Sequence, residues 1–308
     1  MVNSTRVSYI TLAAYFDTGI LKYLLFVTVI CLYILIVFSD VLLVVVICIN
    51  RSLHEPMYMF MCSLFVNELY GSTGLFPFLM VQILSDTHIV STDFCYLQIF
   101  HVYSYAHTEF CNLAAMSYDR YLAICYPLQY HTRMTSNKVA VLIALIWIYA
   151  CIEVTVLVSL TARLQLCGDS LNKVYCDNYS AVKLACYDTT VNNVFGIVYI
   201  FTILFGFVVL ILYTYIKILQ VCFSGSKQTR QKAVSTCTPH LLSLLNFSFG
   251  CFFEMMQSRF NMNNVPNMLR ILLSLYCITC QPLFTPVLYG LQMSKIRSLC
   301  KSLIFGNL

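Results

Sequence analysis

Seven apolar runs of about twenty residues or more follow one another along the chain, each long enough to cross the ~30 Å hydrocarbon core of a bilayer. They are Tyr23–Ile49, Pro56–Ile83, Phe94–Ala123, Asn137–Ser159, Val194–Val221, Thr236–Met256 and Leu269–Tyr289. Inside hydrocarbon every backbone N–H and C=O must find its partner within the structure, so only helices and closed barrels cross it. Runs this long read as helices, and the expected fold is an all-α membrane protein, a seven-transmembrane helix bundle. Charge content points the same way: 10% of the residues are charged, against about 25% in soluble domains. Pro77, Pro239, Pro282 and Pro286 fall inside runs, where neighbouring helices and waters can satisfy the carbonyls they free. No Pro/Gly/Ser-rich linker divides the chain, so residues 1–308 are expected to form one domain. The first twenty residues are mixed and include Arg6 and Asp17, so no cleavable signal peptide is expected.

Basic residues set the orientation. With the N-terminus outside, eleven Lys and Arg fall on the cytoplasmic side and seven on the outer side. Residues 1–22 are then extracellular and 292–308 a cytoplasmic tail. Asn3-Ser4-Thr5 is a glycosylation sequon at the outer N-terminus, and Asn178-Tyr179-Ser180 a second in the long outer loop. Asn246-Phe247-Ser248 also matches, but lies inside a run that no glycosylating enzyme reaches. In Met293–Phe305, Met293, Ile296, Leu299, Cys300 and Leu303 recur at helical spacing among Lys295, Arg297 and Lys301. This reads as a short amphipathic C-terminal helix on the inner leaflet. Cys300 is either palmitoylated or an unmodified interfacial thiol. The net charge of +5 suits anionic lipid and the cytosol, and no basic–aromatic run points to nucleic acid.

The third run ends on Asp119–Arg120, followed by an aromatic turn containing Pro127. A charge pair at a membrane boundary is costly and marks either function or a snorkelling anchor. Asp40, Glu68 and Glu109 are carboxylates well inside three runs. They must face the bundle and share a cation, protons or waters. There is no HExxH, no nucleophile elbow and no phosphate-cradling Gly loop, so neither an enzyme nor a metal centre is expected. Internal repeats and broken midplane helices, which would mark a transporter, are not seen.

Four motifs, in order on the seven runs, resemble olfactory (odorant) receptors of the rhodopsin-like (class A) G-protein-coupled family. Leu53–Phe60 (LHEPMYMF) resembles LHxPMYxF, and Met116–Cys125 (MSYDRYLAIC) resembles MAYDRYVAIC. Lys232–His240 (KAVSTCTPH) resembles KAFSTCxSH, and Pro282–Tyr289 (PLFTPVLY) resembles PxxNPxxY. The stretches Asn67–Ser72 and Asn246–Gly250 look closer to fish-type members, which implies a water-soluble odorant. Ser39-Asp40, Glu68 and Thr285 depart from the family's Gly-Asn, Asp and Asn. These positions belong to the polar interior that couples ligand pocket to cytoplasmic face, so a non-signalling receptor is one reading of the departures.

The resemblance implies a protein that binds a small organic odorant within the bundle and activates a heterotrimeric G protein of the stimulatory olfactory type, raising cyclic AMP. It implies location in the plasma membrane of olfactory cilia or microvilli. A chemosensory receptor of the same fold in another tissue is the alternative, followed by a channel or transporter. Of three pairings open to Cys95, Cys167, Cys176 and Cys186, the resemblance selects Cys95–Cys176 and Cys167–Cys186. Asp119, Arg120, Tyr121, Lys232, His240 and Tyr289 are implied as the G-protein coupling and switch residues. Val102, Tyr103, Ala106, His107, Phe110, Phe247, Cys251, Phe252, Met255, Leu275 and Ile278 are implied to line the odorant site, although His107 could instead donate to a neighbouring helix. Glu68 and Glu109 sit where many class A receptors bind sodium. With Asp40 they form either a sodium or proton site or a neutral hydrogen-bonded cluster; no other cofactor is expected. Glu254 either meets a cationic ligand group or pairs with Arg259.

Overall fold

The computed structural model of the chain describes residues 7–15, 19–224, 227–260 and 265–305. Asn3 and the side chain of Lys232 lie outside the described residues. In chain order the elements are β1 (Tyr9–Leu12), α1 (Leu21–Ile49), α2 (Pro56–Leu84), β2 (Ile89–Ser91), α3 (Thr92–Cys125), α4 (Pro127–Arg133) and α5 (Ser136–Ala162). They continue with β3 (Ser170–Leu171), α6 (Asn178–Val182), α7 (Thr190–Ile200), α8 (Val208–Ser224), α9 (Lys227–Arg259), α10 (Asn267–Gln292) and α11 (Ser294–Phe305). A π-helical stretch, Phe201–Phe207, joins α7 to α8, so the seven crossings are α1, α2, α3, α5, α7–α8, α9 and α10.

The helices begin and end where local chemistry dictates. Pro56 opens α2 at a position whose N–H would be unpaired in any case. The Ser91 hydroxyl accepts from the Phe94 amide to cap α3, and Thr135 accepts from Lys138 to cap α5. The polar stretch before the sixth run does not break the chain. α9 starts at Lys227, nine residues before the expected Thr236, because Lys, Gln and Arg favour helix and extend it beyond the membrane. The turn after Asp119–Arg120 likewise holds the short helix α4.

Length and hydropathy alone pick out fewer than the seven crossings. On length and hydropathy alone α1, α2, α5 and α7–α8 qualify among the described residues. α10 joins them only if Met268–Tyr276 and Ile278–Gly290, bent by 46°, count as one span. The bend sits where Pro282 would clash with the carbonyl four residues back. α3 and α9 do not qualify, and α3 shows why. It is the central helix, packed on α2, α5, α8 and α9, and it hides Ser104, His107, Thr108, Glu109, Asn112 and Asp119 from lipid. Between α2 and α3 the backbones approach closely: a Cβ on Gly71 would collide with the Tyr105 ring, and one on Gly74 with the His101 ring.

The outer surface adds a feature that the all-α expectation missed. β1, near the N-terminus, pairs antiparallel with β2 and parallel with β3, giving a sheet of order β2-β1-β3. Cys95–Cys176 ties α3 to the long outer loop and Cys167–Cys186 closes that loop on itself, the pairing the resemblance implied. At the cytoplasmic end α11 buries Ile296 and packs Met293, Leu299 and Cys300 against the bundle. Lys295 reaches the Ser52 carbonyl at 2.6 Å.

Candidate functional site

A cavity of about 150 Å³ lies beneath the outer loop, between α3, the α7–π junction and the outer part of α9. Val102, Tyr103, Ala106, His107 and Phe110 line it from α3, Cys251 and Met255 from α9, and Ile278 from α10. These were expected. Three expected residues are placed elsewhere. Phe247 is fully buried beneath the floor, with its ring 4.8 Å from Phe110 and 5.9 Å from Tyr105. Phe252 is 45% exposed on the outside of the bundle. Leu275 lines a separate cavity between α1, α2 and α10. The direction in which α9 and α10 face settles these three, and residue type carries no trace of it.

The wall also holds residues that the sequence argument did not reach: Tyr175, Asp177 and Tyr179 from the loop, Tyr199, Ile200 and Ile203 from the fifth crossing, and Glu254, Ser258 and Arg259 from α9. A signal for two of them was present. Tyr175 and Asp177 flank Cys176, which the disulfide draws to α3 and whose amide donates to Gln98 Oε1 at 2.8 Å. Glu254 pairs with Lys173 at 2.7 Å and not with Arg259, whose guanidinium stacks 4.4 Å over the Tyr179 ring. At the floor, His107 is fully buried, with Nδ1 3.5 Å from both Glu153 Oε2 and the Tyr199 hydroxyl. The His107 Nε2 has no partner. His107 thus lies on the cavity wall and also meets Glu153 of α5. The Tyr149 hydroxyl donates to the other Glu153 oxygen.

One helical turn further in, a polar chain crosses the bundle. Asn67 Nδ2 donates to Glu109 Oε2 at 2.9 Å and Gln281 Nε2 to Glu109 Oε1 at 2.9 Å. Gln281 also donates to Ser243 at 2.7 Å and accepts from Asn246 Nδ2 at 2.8 Å, while the Tyr276 hydroxyl donates to Asn246 at 2.6 Å. This joins α2, α3, α9 and α10, and it occupies both oxygens of Glu109 with amides. Asp40 and Glu68 face each other, fully buried, with Thr285 beside Glu68. Among the described residues none of their four carboxyl oxygens has a partner at hydrogen-bond distance. The three acids thus divide into a satisfied Glu109 and an unsatisfied Asp40–Glu68 pair. Among the described residues no three His, Cys, Asp or Glu converge to hold a metal ion.

At the cytoplasmic end Arg120 donates to Asp119 Oδ2 through both Nε and a terminal nitrogen. Asp119 is fully buried and takes a third bond, 2.8 Å, from the Tyr130 hydroxyl on α4. Burial, and the Asp119 carboxylate beside it, hold the Tyr130 phenol well above its ordinary range. His240 and Tyr289 are buried edge to face, ring centres 5.3 Å apart. Among the described residues both His240 nitrogens and the hydroxyls of Tyr289 and Tyr215 lack partners. Tyr121 faces outward, its hydroxyl 3.4 Å from that of Tyr126. Of the sequons, Asn178 is buried with its carbonyl accepting from Thr161 at 2.7 Å, and Asn246 belongs to the polar chain.

The family profile described as "Olfactory receptor" matches residues 29–306. A human protein, olfactory receptor 52B2, is 34% identical over 86% of this chain and 83% of its own length. A mouse protein, olfactory receptor 4E2, is 30% identical over 98% of this chain and 97% of its own. Among solved structures, squid rhodopsin superposes with a TM-score of 0.76 at 15% identity, covering 94% of this chain and 87% of that one. That likeness bears on the fold alone.

Proposed function

The chain belongs to the olfactory receptor family, and we propose on that premise that the cavity beneath the outer loop is its odorant site. The protein is a rhodopsin-like, multi-pass membrane receptor that binds an odorant and acts through a heterotrimeric G protein; it is not an enzyme. The observation carrying the proposal is the cavity itself. It is concave, mostly apolar, carries a few placed polar groups, and sits under a loop held by Cys95–Cys176. Those are the features of a small-molecule site.

The floor of the cavity rests on the polar chain through Glu109, and the chain reaches α9 and α10, whose inner ends carry His240 and Tyr289. An odorant that binds better when α9 and α10 are rearranged shifts the population toward that arrangement by its differential affinity. Arg120 is then released from Asp119. With the α4 loop and the Lys227–His240 segment it engages the G protein, which we take to be the stimulatory olfactory type. The unpartnered atoms of His240, Tyr289 and Tyr215 are the groups with most to gain from new hydrogen bonds in that state. The Asp40–Glu68 pair is where a shared proton or a sodium ion would sit, because two bare carboxylates side by side in the core are costly. The receptor is placed in the plasma membrane of olfactory cilia or microvilli, with lipid against the exposed apolar faces of α1, α5 and α7–α8 and a glycan on Asn3.

The test is cyclic AMP in cells expressing this chain with a stimulatory olfactory-type G protein, screened against mixed odorants beside Arg120→Ala. A response lost in the variant at equal surface expression is the expected result. Membrane current without any G protein would replace this reading with a channel.

A further inference from the structure

The mouth of the cavity carries charges of both signs that the protein pairs only in part. Glu254 Oε1 accepts from Lys173 at 2.7 Å, but its Oε2 is buried without a partner among the described residues. The Asp177 carboxylate caps a short helix, accepting from the amide and hydroxyl of Ser180. Arg259 makes no ion pair among the described residues; its guanidinium lies over Tyr179. All three line the cavity, whereas Lys173 stands behind Glu254 in the wall. Below the mouth the wall turns apolar, with Val102, Ala106, Phe110 and Ile278. The volume of about 150 Å³ matches that of an apolar cavity able to hold benzene.

A neutral ligand leaves Glu254 Oε2 and the Arg259 guanidinium without a charged partner. An amine engages the carboxylates but leaves Arg259 facing a second cation, and a carboxylic acid engages Arg259 but faces Glu254 and Asp177. We propose that this cavity recognises a zwitterionic head group, an ammonium beside a carboxylate as on an α-amino acid, carried on an apolar body smaller than benzene. The ammonium donates to Glu254 Oε2 and toward Asp177, the carboxylate accepts from Arg259, and the body enters the apolar part between α3 and α10. Charged hydrogen bonds are the strong ones and Arg suits a carboxylate bidentately, so both ends of the head group contribute. The inference rests on the odorant-site reading and names the ligand class of that site.

The experiment uses the full chain, purified in detergent, and follows its thermal unfolding with added ligand, a readout independent of any G protein. The probes are L-alanine, L-valine and L-leucine, each beside its decarboxylated amine and its deaminated acid. At least one amino acid is expected to stabilise the protein at about tenfold lower concentration than either counterpart, the worth of one charged hydrogen bond. Arg259→Gln should lower the amino acid to the level of its amine, and Glu254→Gln to the level of its acid. Arg259→Gln breaks no ion pair, so it stays informative if Glu254→Gln, which releases Lys173, fails to fold. An amine or acid that binds as well as its amino acid overturns the proposal, and so does the absence of any amino-acid effect at millimolar concentration. If mixed odorants still drive cyclic AMP in that last case, the receptor reading stands while this one falls. Amino-acid binding without any G-protein response would leave this one standing and remove the coupling.

Discussion

Gln281 is the joint of the polar chain, and replacing it with Leu should be among the most damaging single changes in the bundle. The side chain is fully buried and makes three interhelical hydrogen bonds: to Glu109 at 2.9 Å, to Ser243 at 2.7 Å and from Asn246 at 2.8 Å. Between membrane helices such bonds are worth about 0.6 kcal/mol each on average, which sets a floor near 2 kcal/mol for the three. Gln281→Leu does more than remove bonds. It strands a carboxylate oxygen, a hydroxyl and an amide proton, and buried polar groups left unsatisfied cost about 1–3 kcal/mol each, the carboxylate most. Relaxation and the remaining Asn67–Glu109 bond trim the sum, giving about 2–6 kcal/mol. At roughly 2 °C per kcal/mol for a chain of this size, the unfolding midpoint should fall by about 4–12 °C. The comparison is Thr285→Ala, where a hydroxyl donating to the Gln281 carbonyl at 3.0 Å is lost, for which about 1 kcal/mol is expected. Thermal unfolding of the purified protein, followed by a tryptophan or thiol-reactive signal, measures both. A Gln281→Leu midpoint no lower than that of Thr285→Ala would refute the reasoning, because the chain would then carry no joint stability.

Tyr130→Phe removes the hydroxyl that holds Asp119 Oδ1 at 2.8 Å, a charge-assisted bond worth about 1.5–3 kcal/mol. Ligand-free cyclic AMP should rise at equal surface expression, and an unchanged baseline would place that bond equally in both states. Gly74→Ala should cost about 1–3 kcal/mol by overpacking, because the added Cβ meets the His101 ring, which Tyr70 fixes through a 2.8 Å contact to its carbonyl; surface expression and melting report it, whereas Gly196→Ala, with open space around it, should be silent. His88 stacks on Tyr15 at 4.4 Å, and burial lowers its pKa from 6.5 despite the nearby Asp86. A histidine depressed in this way contributes stability present above its unfolded value and lost as pH falls below it. Protection of the β1 amides, taken relative to the intrinsic exchange rate at each pH, should therefore fall below about pH 6.5 in the wild type and change less with pH in His88→Gln.

The bundle was legible in the sequence because hydrocarbon enforces it. A chain with so few charges and runs of about twenty apolar residues has only helices as a solution, so the number of crossings and their order followed from local composition. The Asp119–Arg120 pair was legible for the same reason: neighbours in sequence at a helix end cannot be separated by the fold. Where the crossings are polar, as in α3 and α9, mean hydropathy falls short of what a lone span needs, since what makes Glu109 or Asn112 tolerable is the helices around it. The cavity was half legible. Its α3 face follows from helical period, because Val102, Ala106 and Phe110 recur every four residues. Which residues of α9 and α10 join them depends on how far each helix is rotated about its axis, so Cys251, Met255 and Ile278 point inward while Phe252 meets lipid and Leu275 another cavity. Tyr175, Asp177, Tyr199 and Arg259 come from segments far apart in sequence, and only a disulfide-held loop and a π-helical turn bring them to one wall. The division of the three acids was likewise a tertiary decision. The sequence put Asp40, Glu68 and Glu109 into the core, but the placing of Asn67 and Gln281 determined that Glu109 is satisfied and that Asp40 and Glu68 are left facing each other.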